Sequence, residues 1–138
     1  MNSHPFSSHK FWLTALIFYM ILICVLSLKP VKNIEGTPLQ EMLHNLCHVP
    51  AYAGLTFIVI GLLMVYEVKS TIFLKAFCFS VLYGVLLEFL QGFVPGRTPS
   101  LLDVSSNAFG ALGMIFLIRQ GFMKNFLPIY NNTNISSR

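Results

Sequence analysis

Four long stretches, almost free of charge, leave this chain very few folds to choose from. They run over residues 11–28, 49–66, 72–94 and 101–118. A helix needs roughly 20 predominantly apolar residues to cross a bilayer, so each stretch is long enough to be a span. The runs are solid, without the alternation that marks the strands of a membrane barrel. Composition agrees. Of 138 residues, 55% are hydrophobic and only 10% are charged, and mean hydropathy is +0.70. A soluble domain carries about 25% charged residues. The expected fold class is an all-α membrane protein, a four-transmembrane-helix bundle. Residues 11–122 form its single domain, between an N-terminal segment 1–10 and a polar tail 123–138 rich in Asn and Ser.

The first run has the length of a span rather than of a signal-peptide core, which covers about 7–15 residues. Its exit, Cys24-Val25-Leu26-Ser27-Leu28, lacks a small-x-small cleavage pattern. Residues 29–48 make the longest polar connection, broken by Pro30, Gly36 and Pro38. Leu39, Met42, Leu43 and Leu46 fall at helical spacing, so a short interfacial helix is expected before the second span. Thr37 suits its cap, and Pro50 should bend or restart the helix.

The net charge of +4 comes from nine basic and five acidic residues. The basic residues stand singly at the ends of apolar runs. That pattern orients membrane spans; it is not a nucleic-acid face. One side of the four-span arrangement carries Lys10, Lys69, Lys75, Arg119, Lys124 and Arg138, and the other Lys29, Lys32 and Arg97. The positive-inside rule then puts both termini in the cytoplasm, for a multi-pass protein of the cytoplasmic membrane. Cys24, Cys47 and Cys78 show no metal spacing and no disulfide framework.

The same topology gathers the unusual polar residues at the outer end. His48 and Tyr52 enter on the second span, Glu88 and Gln91 leave on the third, Arg97 lies in the turn, and Asp103 and Asn107 open the fourth. Ser80, Gly84, Glu88 and Gln91 fall within an arc of about 80° on one helix face. Asp103, Asn107, Gly110 and Met114 form a second stripe, and His44, His48, Tyr52 and Thr56 a third. Lipid cannot satisfy these groups, so the stripes should face one another.

Glu88 is the most informative residue. It lies about four turns into its span, where an unpaired charge costs roughly 2.5–3.5 kcal/mol. It is either a helix clamp or a ligand-binding or catalytic carboxyl, neutral or ionised against Arg97 or a histidine. A hydrogen bond from His48 to Glu88 is expected. Arg97 is a headgroup anchor, an ion-pair partner or an anion-capturing fork. Asp103 fits a capping box with Ser100, and Asn107 fits interhelical bridging. His44 and His48 are four apart, which permits metal ligation with Glu88 or Asp103. The pattern lacks HExxH, and no metal or cofactor is expected. Nucleophilic serine chemistry has little support, and nothing in the pattern demands catalysis, so binding ranks ahead of an enzyme.

Beside this reading stands a resemblance. His48-Val49-Pro50-Ala51-Tyr52 is followed by the longer pattern E-x-x-Q-x-F-x-P-G-R-x-x-S-x-x-D-x-x-x-N-x-x-G over residues 88–110. These motifs resemble the VanZ-like family of small bacterial membrane proteins, over roughly residues 40–118. Family members often carry an acidic-Lys pair shortly before the histidine, where this chain has His44-Asn45. The founding member is linked to resistance to teicoplanin, a glycopeptide that binds cell-wall precursors outside the membrane. An outward-facing polar site would suit contact with a lipid-linked envelope component or a glycopeptide, with membrane lipids as the other partners. The competing readings are an intramembrane enzyme acting on a lipid headgroup and a structural partner protein without a ligand site.

Overall fold

The computed structural model describes residues 8–29, 38–66 and 71–122 together with Leu127, and side chains of the second helix from Leu46 onward. The four helices are α1 (His9–Ser27), α2 (Pro38–Val65), α3 (Ile72–Gln91) and α4 (Leu101–Arg119). Each contains a segment long and apolar enough to cross a membrane, Leu46–Val65 in the case of α2. The chain is a multi-pass membrane protein. Residues 1–7, residues 30–37 with the expected Thr37 cap, residues 67–70, the side chains of Leu39, Met42, Leu43 and His44, and nearly all of the tail lie outside the described residues.

Two boundaries differ from expectation. The short helix before the second span is not a separate element: α2 runs unbroken from Pro38 through Pro50 to Val65. Proline at the first helical position costs no hydrogen bond, because that N–H is an orphan in any helix. Pro50 removes one internal donor, which membrane helices tolerate when neighbours re-satisfy the backbone. The third helix also stops at Gln91, although apolar residues continue to Val94. Pro95 disfavours helical geometry at the residue before it. Residues 92–97 instead form successive turns, with Gly96 at φ 79°.

Packing follows from small residues on the inner faces. The α2–α4 contact is the most extensive in the bundle. Gly110 makes it possible, since a β-carbon there would overlap the Val49 carbonyl oxygen of α2. Gly84 of α3 performs the same service for the Asn107 amide, whose Nδ2 lies 2.6 Å from where a β-carbon would sit. Trp12 and Leu16 of α1, Leu55 and Ile60 of α2, Ala76 and Leu87 of α3 and Ile118 of α4 belong to the core. Large apolar side chains such as Leu82 and Phe109 cover the outside, at 67% and 72% exposure. That surface suits hydrocarbon rather than water.

Interhelical hydrogen bonds supplement this packing. The Thr56 hydroxyl reaches Ser80 Oγ at 2.9 Å. The Tyr83 hydroxyl donates to the Met20 carbonyl at 2.7 Å, and Tyr19 to the Ala51 carbonyl at 3.1 Å.

Gly110→Val should therefore lower the thermal stability of the detergent-purified protein by roughly 1–3 kcal/mol. Gly113→Ala, where nothing lies within 4 Å of the added carbon, should leave the melting temperature unchanged. Circular dichroism melts of the two variants compare them directly.

Candidate functional site

Ser100 begins α4 with an extended backbone, φ −123° and ψ 124°, and its Oγ accepts the Leu102 N–H at 3.2 Å. A capping box would return the Ser100 N–H to the side chain three residues later. Here Glu88 of α3 takes that role, its Oε2 accepting the Ser100 N–H at 3.1 Å. The expected capping role of Asp103 is corrected accordingly. The reason is packing: α3 brings the Glu88 carboxyl to the helix start, where the macrodipole favours an acidic group. Asp103, still in the first turn of α4, is buried at 4% exposure, as is Glu88.

His48 sits on α2 at the same end and is half-buried. Its Nδ1 lies 2.8 Å from Asn107 Oδ1. A carbonyl oxygen can only accept, so Nδ1 is the donor. Through this bond Asn107 bridges α4 to α2, as expected for an interhelical link. The His48 ring lies parallel to Tyr52, one turn along, with an interplanar angle of 3° and centroids 6.3 Å apart.

His48, Glu88 and Asp103 nevertheless meet. One donor atom from each lies within 4.8 Å of the other two. Three separate helices deliver them, α2, α3 and α4, whereas spacing along the sequence placed only His44 and His48 on one element. The side chain of His44 lies outside the described residues.

Gln91, one turn beyond Glu88, is buried at 1% exposure and turns to α1. Its Nε2 donates to the Ser27 carbonyl at 3.2 Å and makes a short hydrogen bond to the Ser27 hydroxyl. Arg97, in the α3–α4 turn, reaches the Lys29 carbonyl through Nε at 3.4 Å. Ser27 was legible only as a lone hydroxyl at the end of an apolar run, and Lys29 contributes backbone alone. Neither role carried a sequence signal.

Between α1 and α2 opens a cleft of about 190 Å³. Ile23, Leu26 and Ser27 line it from α1, and His48, Ala51 and Tyr52 from α2. Most of its wall is apolar, and its polar groups include Ser27, which ties it to Gln91, and His48, which ties it to the carboxylates. Two buried polar atoms have no hydrogen-bond partner among the described residues: Gln91 Oε1 and Asn107 Nδ2. Orphaned groups of this kind are uncommon in folded proteins and expensive in lipid. All seven polar residues read from the sequence therefore lie at one end of the bundle, and Tyr52, Glu88, Gln91, Asp103 and Asn107 are buried there.

A family model described as VanZ/LLP1 matches residues 7–124. No curated protein and no solved structure matches the chain.

The His48–Asn107 bond crosses between α2 and α4 and should couple their stabilities. A double-mutant cycle with His48→Ala and Asn107→Ala should return about 0.6 kcal/mol, with about 1.7 as the upper end for such membrane bonds. Unfolding in mixed micelles measures it, and additive single effects would contradict the bond.

Proposed function

This chain belongs to the VanZ/LLP1 family, and we propose that it binds the polar end of a lipid-linked cell-envelope component at the outer face of the cytoplasmic membrane. Both termini lie in the cytoplasm in this reading, as the distribution of Lys and Arg favours. The cluster of Glu88, Gln91, Arg97, Asp103, His48 and Asn107 then opens outward.

The observation that carries the proposal is the adjacency of two unlike surfaces. The α1–α2 cleft has a mainly apolar wall that includes His48, Tyr52 and Ser27. Ser27 also bonds the buried Gln91 amide, whose Oε1 has no partner among the described residues. An amphiphile matches both surfaces at once: its chain lies along Ile23 and Leu26, and its head meets the polar cluster. Arg97 suits an anionic head, because its planar fork binds phosphate and carboxylate oxygens in pairs. A purely structural role accounts for the Glu88–Ser100 and His48–Asn107 bonds, yet it gives no use for the cleft or for the orphaned Gln91 oxygen.

Two measurements check the reading. A fluorescent-protein fusion at the C-terminus should glow, as cytoplasmic fusions do, whereas an alkaline phosphatase fusion there should be inactive. In nanodiscs, the purified protein should retain a polyprenyl phosphate lipid by native mass spectrometry. Arg97→Ala should weaken retention about tenfold or more, since a hydrogen bond to a charged group contributes roughly 1.5–3 kcal/mol. Phe109→Ala, on the lipid-facing surface, should not. Retention of a glycopeptide in place of the lipid would redirect the ligand, and equal retention by wild type and Arg97→Ala would remove the site.

A further inference from the structure

We infer that His48, Glu88 and Asp103 form a binding site for one divalent metal ion of the zinc type. The inference rests on the reading of this cluster as a ligand site rather than a helix clamp, and it adds the ion that completes that site.

The donor set comes first. One imidazole nitrogen and two carboxylate oxygens lie within 4.8 Å of one another, each from a different helix. Nitrogen and oxygen donors together suit Zn²⁺ and its first-row neighbours better than Mg²⁺ or Ca²⁺, which favour oxygen alone. An ion about 2.1 Å from each donor would draw the three together by on the order of 1 Å, within the reach of side-chain rotation. Three protein ligands leave a coordination position for an oxygen of a bound head group, the arrangement of sites that bind something else besides the metal.

Charge gives the second reason. Glu88 and Asp103 are both 4% exposed, with carboxylate oxygens within 4.8 Å of each other. A divalent cation held between two carboxylates attracts both at once.

The surroundings supply the third. Ligating histidines almost always give their second ring N–H to a carbonyl or carboxylate, which fixes the tautomer. Asn107 Oδ1 accepts from His48 Nδ1 in this way. Glu88 is likewise oriented through one oxygen by the Ser100 N–H. Gln91, a turn from Glu88 on the same face, holds a buried Oε1 with no donor among the described residues. A water carried by the ion is the kind of donor that oxygen lacks.

The test uses the full chain in nanodiscs, treated with chelator and titrated with Co²⁺ as a visible probe, then with Zn²⁺ as competitor. Wild type should bind one Co²⁺ per chain, with visible absorption bands that Zn²⁺ removes. Glu88→Gln and Asp103→Asn should each weaken binding by about tenfold or more, and Asn107→Leu by about 10–100-fold as the residue that orients the ligand. Asp103→Cys gives a readout that a structural role would not move: its thiolate should add a sulfur-to-cobalt charge-transfer band absent from wild type. The inference is overturned if wild type binds no stoichiometric Co²⁺, or if a Glu88→Gln/Asp103→Asn double variant binds it equally well. It is also overturned if Asp103→Cys keeps its helix content and shows no such band. Because the probe is the metal alone, cation binding without lipid retention removes the lipid named above and keeps the ion. Lipid retention without cation binding does the reverse.

Discussion

Hydrocarbon offers no hydrogen bonds, and the rest of this structure depends on that fact. Every polar group carried into the bilayer must find its partner on another part of the same chain or bind something brought to it. Four helices with apolar exteriors meet the requirement along most of their length with few polar contacts, such as Thr56 with Ser80. At one end the demand is concentrated. There Glu88, Gln91, Asp103 and Asn107 are all buried within two helix ends and the turn that joins them.

Glu88 shows how the demand is met and what is left over. Its carboxylate caps α4 through the Ser100 N–H, so one acidic side chain both stabilises a helix start and locks α3 to α4. That substitution releases Asp103 from the capping role its position suggests and leaves it facing His48 and Glu88. Asn107 fixes the His48 ring, and glycine at positions 84 and 110 brings the three helices close enough for these contacts. The contacts that clamp the helices leave Gln91 Oε1 and Asn107 Nδ2 without hydrogen-bond partners among the described residues.

Much of this was legible without coordinates. Hydropathy marked the four spans, and helical period placed Glu88 with Gln91 and Asp103 with Asn107 on inward stripes. Other features were hidden for physical reasons. The end of α3 at Gln91 depends on the turn chemistry of Pro95 and Gly96, which apolarity does not reveal. The continuity of α2 through Pro50 is a matter of tertiary packing, of which α2 and α4 make the most extensive contact, and a proline in the sequence does not reveal it. The His48 Nδ1 bond to Asn107 was not legible, because it depends on how α2 and α4 are rotated against each other.

What the sequence alone determined is the solvent, the number of crossings and which residues are too costly to face lipid. Those follow from local composition and from a helical period fixed by backbone geometry. Only the tertiary structure decided who meets whom. Ser27 with Gln91 are separated by 64 residues, and His48 with Asn107 by 59. Such pairings depend on the rotation of each helix about its axis and on how closely glycine lets the backbones approach. The convergence of His48, Glu88 and Asp103 is a property of three packed helices and of no single one of them.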